Sequence, residues 1–212
     1  MSGLSYSKVQ DYLTSLIPRR LPELAAMEKY AARKGFPIIG PVCGQYCYQV
    51  ARMIGARSVF ELGSGYGYST AWFARAVREN GGGVVHHTVW DDELSDRARR
   101  HLTRMGLSDL VTFHVAEAVS TLEAQPPGFD LIFSDIDKQA YPASLPVIAD
   151  KLRAGGVLVI DNMLWSGRIF DRADRTAATR GVREFTRMIK ADPQWIVTLV
   201  PLRDGLIIAL RQ

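Results

Sequence analysis

Apolar residues at the start of the chain recur at helical intervals: Val9, Leu13, Leu16 and Ile17, then Leu24, Met27, Tyr30 and Ala31. Helices are expected up to about Ile54, punctuated by Pro18, Pro22 and Pro37. Beyond that point short β-like apolar runs alternate with helical stretches. The pattern predicts strands at 58–62, 84–90, 111–115, 129–134 and 157–160, with helices at 69–79, 93–105, 144–153 and 178–191. Two more strands are expected at 195–200 and 206–210. Strands that alternate with helices build a parallel sheet with helices on both faces.

The end of the chain departs from that rule. Only Pro201, Leu202, Arg203, Asp204 and Gly205 separate the last two strands, whereas a parallel crossover takes roughly a dozen residues or more. Those strands are therefore antiparallel neighbours. This argues against an all-parallel dinucleotide-binding sheet and suits the methyltransferase variant of the α/β fold. The expected architecture is a single Rossmann-like methyltransferase domain. Its sheet has seven strands, mostly parallel with an antiparallel final strand, and extra N-terminal helices form a cap at 1–54 over a core at 55–212.

Composition agrees with one domain: 212 residues, 47% hydrophobic and 23% charged, can bury a sizeable core. No apolar run approaches the roughly 20 residues of a membrane span, and Met1 to Lys8 has neither the basic start nor the apolar segment of a leader. A cytoplasmic protein without membrane contact is the expectation. Cys43 and Cys47, the only cysteines, make neither a disulfide framework nor a zinc site, and read as buried free thiols. The net charge of +4 and pI near 9.2 leave nucleic acid open as a partner without demanding it. Arg168, Arg172, Arg175, Arg180 and Arg183 alternate with Asp171, Asp174 and Glu184, which reads as a solvated loop, with a substrate-facing lid as the sharper alternative.

Three segments follow β-like runs and so converge on one crevice at the carboxyl ends of parallel strands: Glu61 to Ser69, Ser134 to Lys138, and Asp161-Asn162. Gly63, Gly65 and Gly67 allow a sharp turn with close backbone approach to a ligand, and Ser69 is placed to cap the following helix. A dinucleotide fingerprint would want glycine where Tyr68 stands. The turn could instead bind the carboxylate of an amino-acid-like ligand, with Glu61 orienting the loop or attracting an ammonium group. Asp135, Asp161 and Asn162 offer hard oxygen ligands, a set that selects Mg²⁺, Ca²⁺ or Mn²⁺ over zinc. Lys138 faces the same crevice, where a lysine beside a dication can accept a proton. Asp130, at the other end of its strand, reads as structural. His86, His87, His101 and His114 lack metal-ligand spacing and read as packing or solvated residues.

Together these segments resemble the cation-dependent class I O-methyltransferases that use S-adenosylmethionine, the group of catechol and caffeoyl-CoA O-methyltransferases. The resemblance runs from about Ile39 to the C-terminus. It is carried by Gly44-Gln45, E-L-G-S-G-Y-G-Y-S at 61–69, D-I-D-K-Q-A-Y at 135–141, D-N-M-L-W-S-G at 161–167 and D-G-L at 204–206. It implies that Asp135, Asp161 and Asn162 hold the metal and that Lys138 is the proton acceptor. It also implies that Glu61, Gly63, Tyr66 and Ser69 hold the methionine part of the cofactor and that Ile39 to Gly44 closes over it. Ala116 to Ala118 would lie along the adenine, Ile136 would pack on it, and Asp135 would border both cofactor and metal. The acid that normally ends the second strand and binds the ribose is Val89 here, with Asp91 as a substitute two residues on. The implied activity is methyl transfer to a catechol-like hydroxyl of a small molecule, by a homodimer. The alternative within the family is a hydroxyuridine in tRNA. A nicotinamide oxidoreductase and a cofactor-binding protein without catalysis are the remaining readings, opposed respectively by Tyr68 with the closing strand and by the complete metal-and-lysine set.

Overall fold

The computed structural model describes residues 5–212, so Met1 to Leu4, half of the Met1 to Lys8 segment that lacks leader features, lie outside the described residues. A seven-stranded sheet forms the centre, in the order β3-β2-β1-β4-β5-β7-β6. The strands are β1 (Ser58–Leu62), β2 (Val84–Val89), β3 (Val111–Val115), β4 (Phe129–Ser134), β5 (Leu152–Ile160), β6 (Trp195–Val200) and β7 (Leu206–Arg211). The first five run parallel, and β7 is antiparallel to both β5 and β6. The strand order reverses between β1 and β4, where an open α/β sheet leaves a crevice.

Helices α1 (Tyr6–Ser15), α2 (Pro22–Lys34), α3 (Gly40–Met53), α4 (Tyr68–Glu79) and α5 (Asp92–Arg104) precede β3 in the chain. Helices α6 (Ala118–Glu123), α7 (Tyr141–Lys151) and α8 (Ala177–Ala191) follow it. Two hydrophobic clusters result. One joins α2, α3 and α4 to Val59, Leu131 and Val159, and the other joins α7 and α8 to Phe60, Ile132 and Ile160. Alternate residues of the same strands enter opposite clusters, as the period of two requires of a sheet buried on both faces. Cys43 and Cys47 are buried free thiols in the first cluster, and burial pushes the Cys43 thiol up to about 12.

The expected elements form, with differences at four places. In α1 the apolar positions are not buried, and Leu16 is exposed, whereas α2 inserts Leu24, Met27 and Ala31 into the core. Helix α7 starts at Tyr141 and ends at Lys151, and β5 begins at Leu152. Gly155 and Gly156 look like a break in sequence, yet the strand passes through them, with φ +72° at Gly155 and a register shift against Phe129 and Leu131. The short α6 has no helical period long enough to read; Glu117 caps it by accepting from the N–H groups of Val119 and Ser120. Helix α4 begins at Tyr68 with Gly67 as its N-cap, so Ser69 does not cap it and lies in its first turn.

Among the described residues no helix is long and apolar enough to cross a membrane. Asp130 is structural, as expected. Its carboxylate accepts from the backbone of Arg57 and Ser58 and pairs with Arg153, tying β4 to β1 and β5.

Candidate active site

A cavity of about 680 Å³ opens at the carboxyl ends of β1, β4 and β5. The turn after β1 forms one wall. Gly63, Gly65 and Gly67 all have positive φ, and a Cβ at Gly63 would lie 2.6 Å from the Asp135 carbonyl oxygen. The first glycine thus lets the turn lie flat against the end of β4, bringing the two segments to one floor.

Glu61 lies behind that wall, fully buried, and neither carboxylate oxygen has a hydrogen-bond partner among the described residues. Burial pushes its pKa up to about 7, although the hydroxyls of Ser69, Thr70 and Ser64 face it and pull the other way. Those hydroxyls do not reach hydrogen-bond geometry, so the carboxylate stays without a partner among the described residues. A cationic group entering past Ser64 and Ser69, both lining the cavity, would satisfy it.

The buried charge has a cost in the ligand-free protein. Glu61 titrates near 7 when folded and near 4.5 when unfolded, so the folded state holds the extra proton between those values and stability falls as pH rises through the window. Full ionisation costs about 3 kcal/mol. Glu61→Gln should gain about that much stability relative to wild type between pH 4 and pH 8 in denaturant titrations. A pH-independent difference would show that the charge is already compensated.

Ile39, Tyr66, Ala116, Ala118 and Ile136 line the cavity, as does Val89 at the end of β2. The Tyr66 hydroxyl donates to the Met27 carbonyl at 2.9 Å, anchoring the glycine turn to α2. Asp91 is not brought to the cavity. Its Oδ1 accepts from the Leu94 N–H at 2.9 Å and caps α5.

The opposite wall carries the charged groups. Lys138, only 10% exposed, donates from Nζ to Asp135 Oδ1 at 2.6 Å and to the Ile136 carbonyl at 3.1 Å. The rings of Tyr141 and Trp165 flank it, with centroids 5.2 and 5.9 Å from Nζ. Gly181 on α8 allows this arrangement, since a Cβ there would lie 2.2 Å from the Lys138 carbonyl oxygen. Asn162 adopts φ +62°, and its Nδ2 donates to Asp204 Oδ2 at 3.1 Å, which leaves the amide oxygen free. Asp161 is fully buried; its Oδ1 accepts from the Asn162 N–H and its Oδ2 from Arg203 Nη1 at 3.0 Å. Burial and the nearby Asp135 raise the pKa of Asp161, and Arg203 opposes them.

Asp135 and Asn162 therefore face the cavity, with Asp161 directly beside them under Arg203. Among the described residues no group of three or more His, Cys, Asp or Glu side chains is placed to hold a metal, so a cation would depend on two carboxylates and one amide. That set is chemically suited to a hard dication: oxygen donors with open positions for water or ligand oxygens. Sequence reasoning missed Arg203, Asp204 as the support of Asn162, and Gly181, because each acts through a partner distant in the chain.

The arginine-rich segment is largely self-satisfied. Arg183 donates to the carbonyls of Ile169, Asp174, Arg168 and Asp171, and Arg168 pairs with Asp174. Arg180 also donates to the Arg175 carbonyl, so three of the five arginines hold the loop, while only its borders, Trp165 and Ala178, line the cavity. The histidines stand elsewhere: His86 stacks on His114 at 5.2 Å, His87 meets Thr70, and His101 pairs with Glu23.

The sheet order, the closing antiparallel strand and this cavity define a Rossmann-like methyltransferase. The sequence model of the O-methyltransferase family matches residues 21–212, and the chain belongs to that family and is an O-methyltransferase. It is 28% identical to a catechol O-methyltransferase of Niastella koreensis, over 99% of each chain. Among solved structures it is similar to the O-methyltransferase TomG of Streptomyces achromogenes, involved in tomaymycin synthesis and bound to SAM. That likeness has a TM-score of 0.86 and 26% identity, over 97% of this chain and 96% of TomG. An O-methyltransferase of Bacillus cereus in complex with SAH matches with TM-score 0.86 and 27% identity, over 97% of both chains.

Proposed function

We propose that this protein transfers the methyl group of S-adenosylmethionine to one hydroxyl of a small catechol-like aromatic, with a divalent cation held by Asp135, Asp161 and Asn162. The observation that carries this reading is the shared cavity: a glycine turn backed by an unpartnered buried carboxylate stands opposite a lysine and an oxygen-donor cluster. Glu61 attracts the ammonium group of the cofactor, Gly63, Tyr66 and Ser69 shape the methionine wall, and Ile39, Ala118 and Ile136 enclose the adenine side. Residues 1–54 serve as a cap on the methyltransferase core at 55–212. Magnesium, with Ca²⁺ or Mn²⁺ as substitutes, supplies Lewis-acid polarisation of the acceptor hydroxyl when bound.

Lys138 Nζ takes the proton of that hydroxyl. Tyr141 and Trp165 limit the movement of Nζ and keep water from it, so the proton acceptor meets the acceptor oxygen in a defined position. The mild basicity of the chain gives RNA little purchase when Arg168 and Arg183 are engaged within their own loop. A cytoplasmic homodimer acting on small molecules is the assembly and setting we propose.

The direct test is transfer of labelled methyl from S-adenosylmethionine to a vicinal dihydroxy aromatic, compared with its monohydroxy analogue. Preferential labelling of the diol is expected; cofactor binding without transfer to any diol would overturn the reading. Asp91→Asn should leave cofactor affinity within about 2-fold, since asparagine also caps helices. A calorimetric loss of roughly 10-fold or more, the scale of a lost charge-assisted bond, would place Asp91 on the ribose after all.

A further inference from the structure

Arg203 has no role in the reading above, yet it is the residue that stands over Asp161. Its backbone adopts φ +49°, uncommon for any residue but glycine, asparagine or aspartate. The turn holding it is clamped to the segment after β5: the N–H groups of Met163 and Leu164 donate to the carbonyls of Gly205 and Asp204 at 2.9 and 2.7 Å. The Ser166 N–H also donates to the Asp204 carboxylate. This clamp aims the guanidinium at Asp161 Oδ2, 3.0 Å away. Arg203 lines the cavity, and Asp161 does not.

We propose that Arg203 is a resident counter-ion which a divalent cation must displace, so that the cation site of this protein is gated by its own guanidinium. The inference rests on the metal site proposed above. Lys138 pairs with Asp135 and Arg203 with Asp161, while the Asp204 carboxylate accepts from Asn162 Nδ2 and the Ser166 N–H. Both oxygens of Asp161 are occupied, Oδ1 by the Asn162 N–H and Oδ2 by Arg203, so a dication reaches this carboxylate only as the guanidinium leaves. Arg203 is the one free to go, with its side chain 36% exposed against 10% for Lys138, so it reaches solvent without crossing the core. Apparent affinity scales with the fraction of molecules whose site is open, so a gate closed in about 90 to 99% of them weakens binding about 10- to 100-fold.

The test uses the cofactor-free protein and Mn²⁺, with free ion read by electron paramagnetic resonance. Arg203→Gly relieves the positive φ, and Arg203→Asn, whose side chain also tolerates it, is the second variant should the first fold poorly. Both are expected to bind Mn²⁺ about 10- to 100-fold more tightly than wild type. In wild type titrated with Mg²⁺, the Arg203 guanidinium NMR resonance, identified by its absence from Arg203→Gly, should move to the position of a solvated arginine. Equal Mn²⁺ affinities, abolished alike by Asp161→Asn, would overturn the gate and leave the metal site standing. A guanidinium resonance unmoved at saturating Mg²⁺ would also overturn the gate. No Mn²⁺ binding by any variant would remove the gate together with the metal reading.

Discussion

Replacing Lys138 by alanine is expected to slow methyl transfer by about 10² to 10⁴-fold, the usual span for loss of a general base, with S-adenosylmethionine affinity changed by no more than about 2-fold. The separation follows from position. Lys138 Nζ lies on the wall opposite the glycine turn, bonded to Asp135 Oδ1 and packed between Tyr141 and Trp165, and none of its bonds reach Glu61 or Ser69. Single-turnover rates measured beside calorimetry would show the split. The variant should recover as pH rises toward the ionisation of the acceptor, because hydroxide can then do the work of the lysine. An unchanged rate from pH 6 to about 9, with chemistry rate-limiting, would remove Lys138 from the proton transfer.

Removing divalent cations should reduce turnover by about 10² to 10³-fold, and Mg²⁺ should restore it. A phenol of pKa about 10 is ionised in roughly one molecule per thousand at pH 7, a barrier of about 4 kcal/mol, and a coordinated cation can remove most of it. Asp161→Ala should reproduce the loss, in a form that added Mg²⁺ does not repair. It also strips Arg203 of its partner, so circular dichroism must confirm the fold before the rate is interpreted. Full activity after chelation, with elemental analysis finding no bound metal, would exclude the cation from the reaction.

The glycine turn, Asp135, Lys138 and Asn162 were legible because each follows directly on a strand whose end the hydrophobic pattern locates, and strand ends share a crevice in this fold. The closing antiparallel pair was legible for an equally local reason, a connection too short to cross over. The sequence offers Ser69 as the cap that Gly67 holds, because helix starts shift by a residue or two with backbone geometry that sequence does not display. The cap that Asp91 places on α5 likewise depends on backbone geometry at the helix start.

The order of apolar and polar residues alone determined the alternating architecture, the direction of the final strand, and which three segments meet. These follow from contacts between near neighbours and from the period of each element. Only the tertiary structure decided how the charges within the site are matched. The Glu61 carboxylate lies without a partner behind Ser69, whereas Asp161 receives a guanidinium from 42 residues further along the chain. The physical reason is that burial and Coulomb interaction depend on distance through space, which folding sets by packing the β6–β7 turn onto the end of β5.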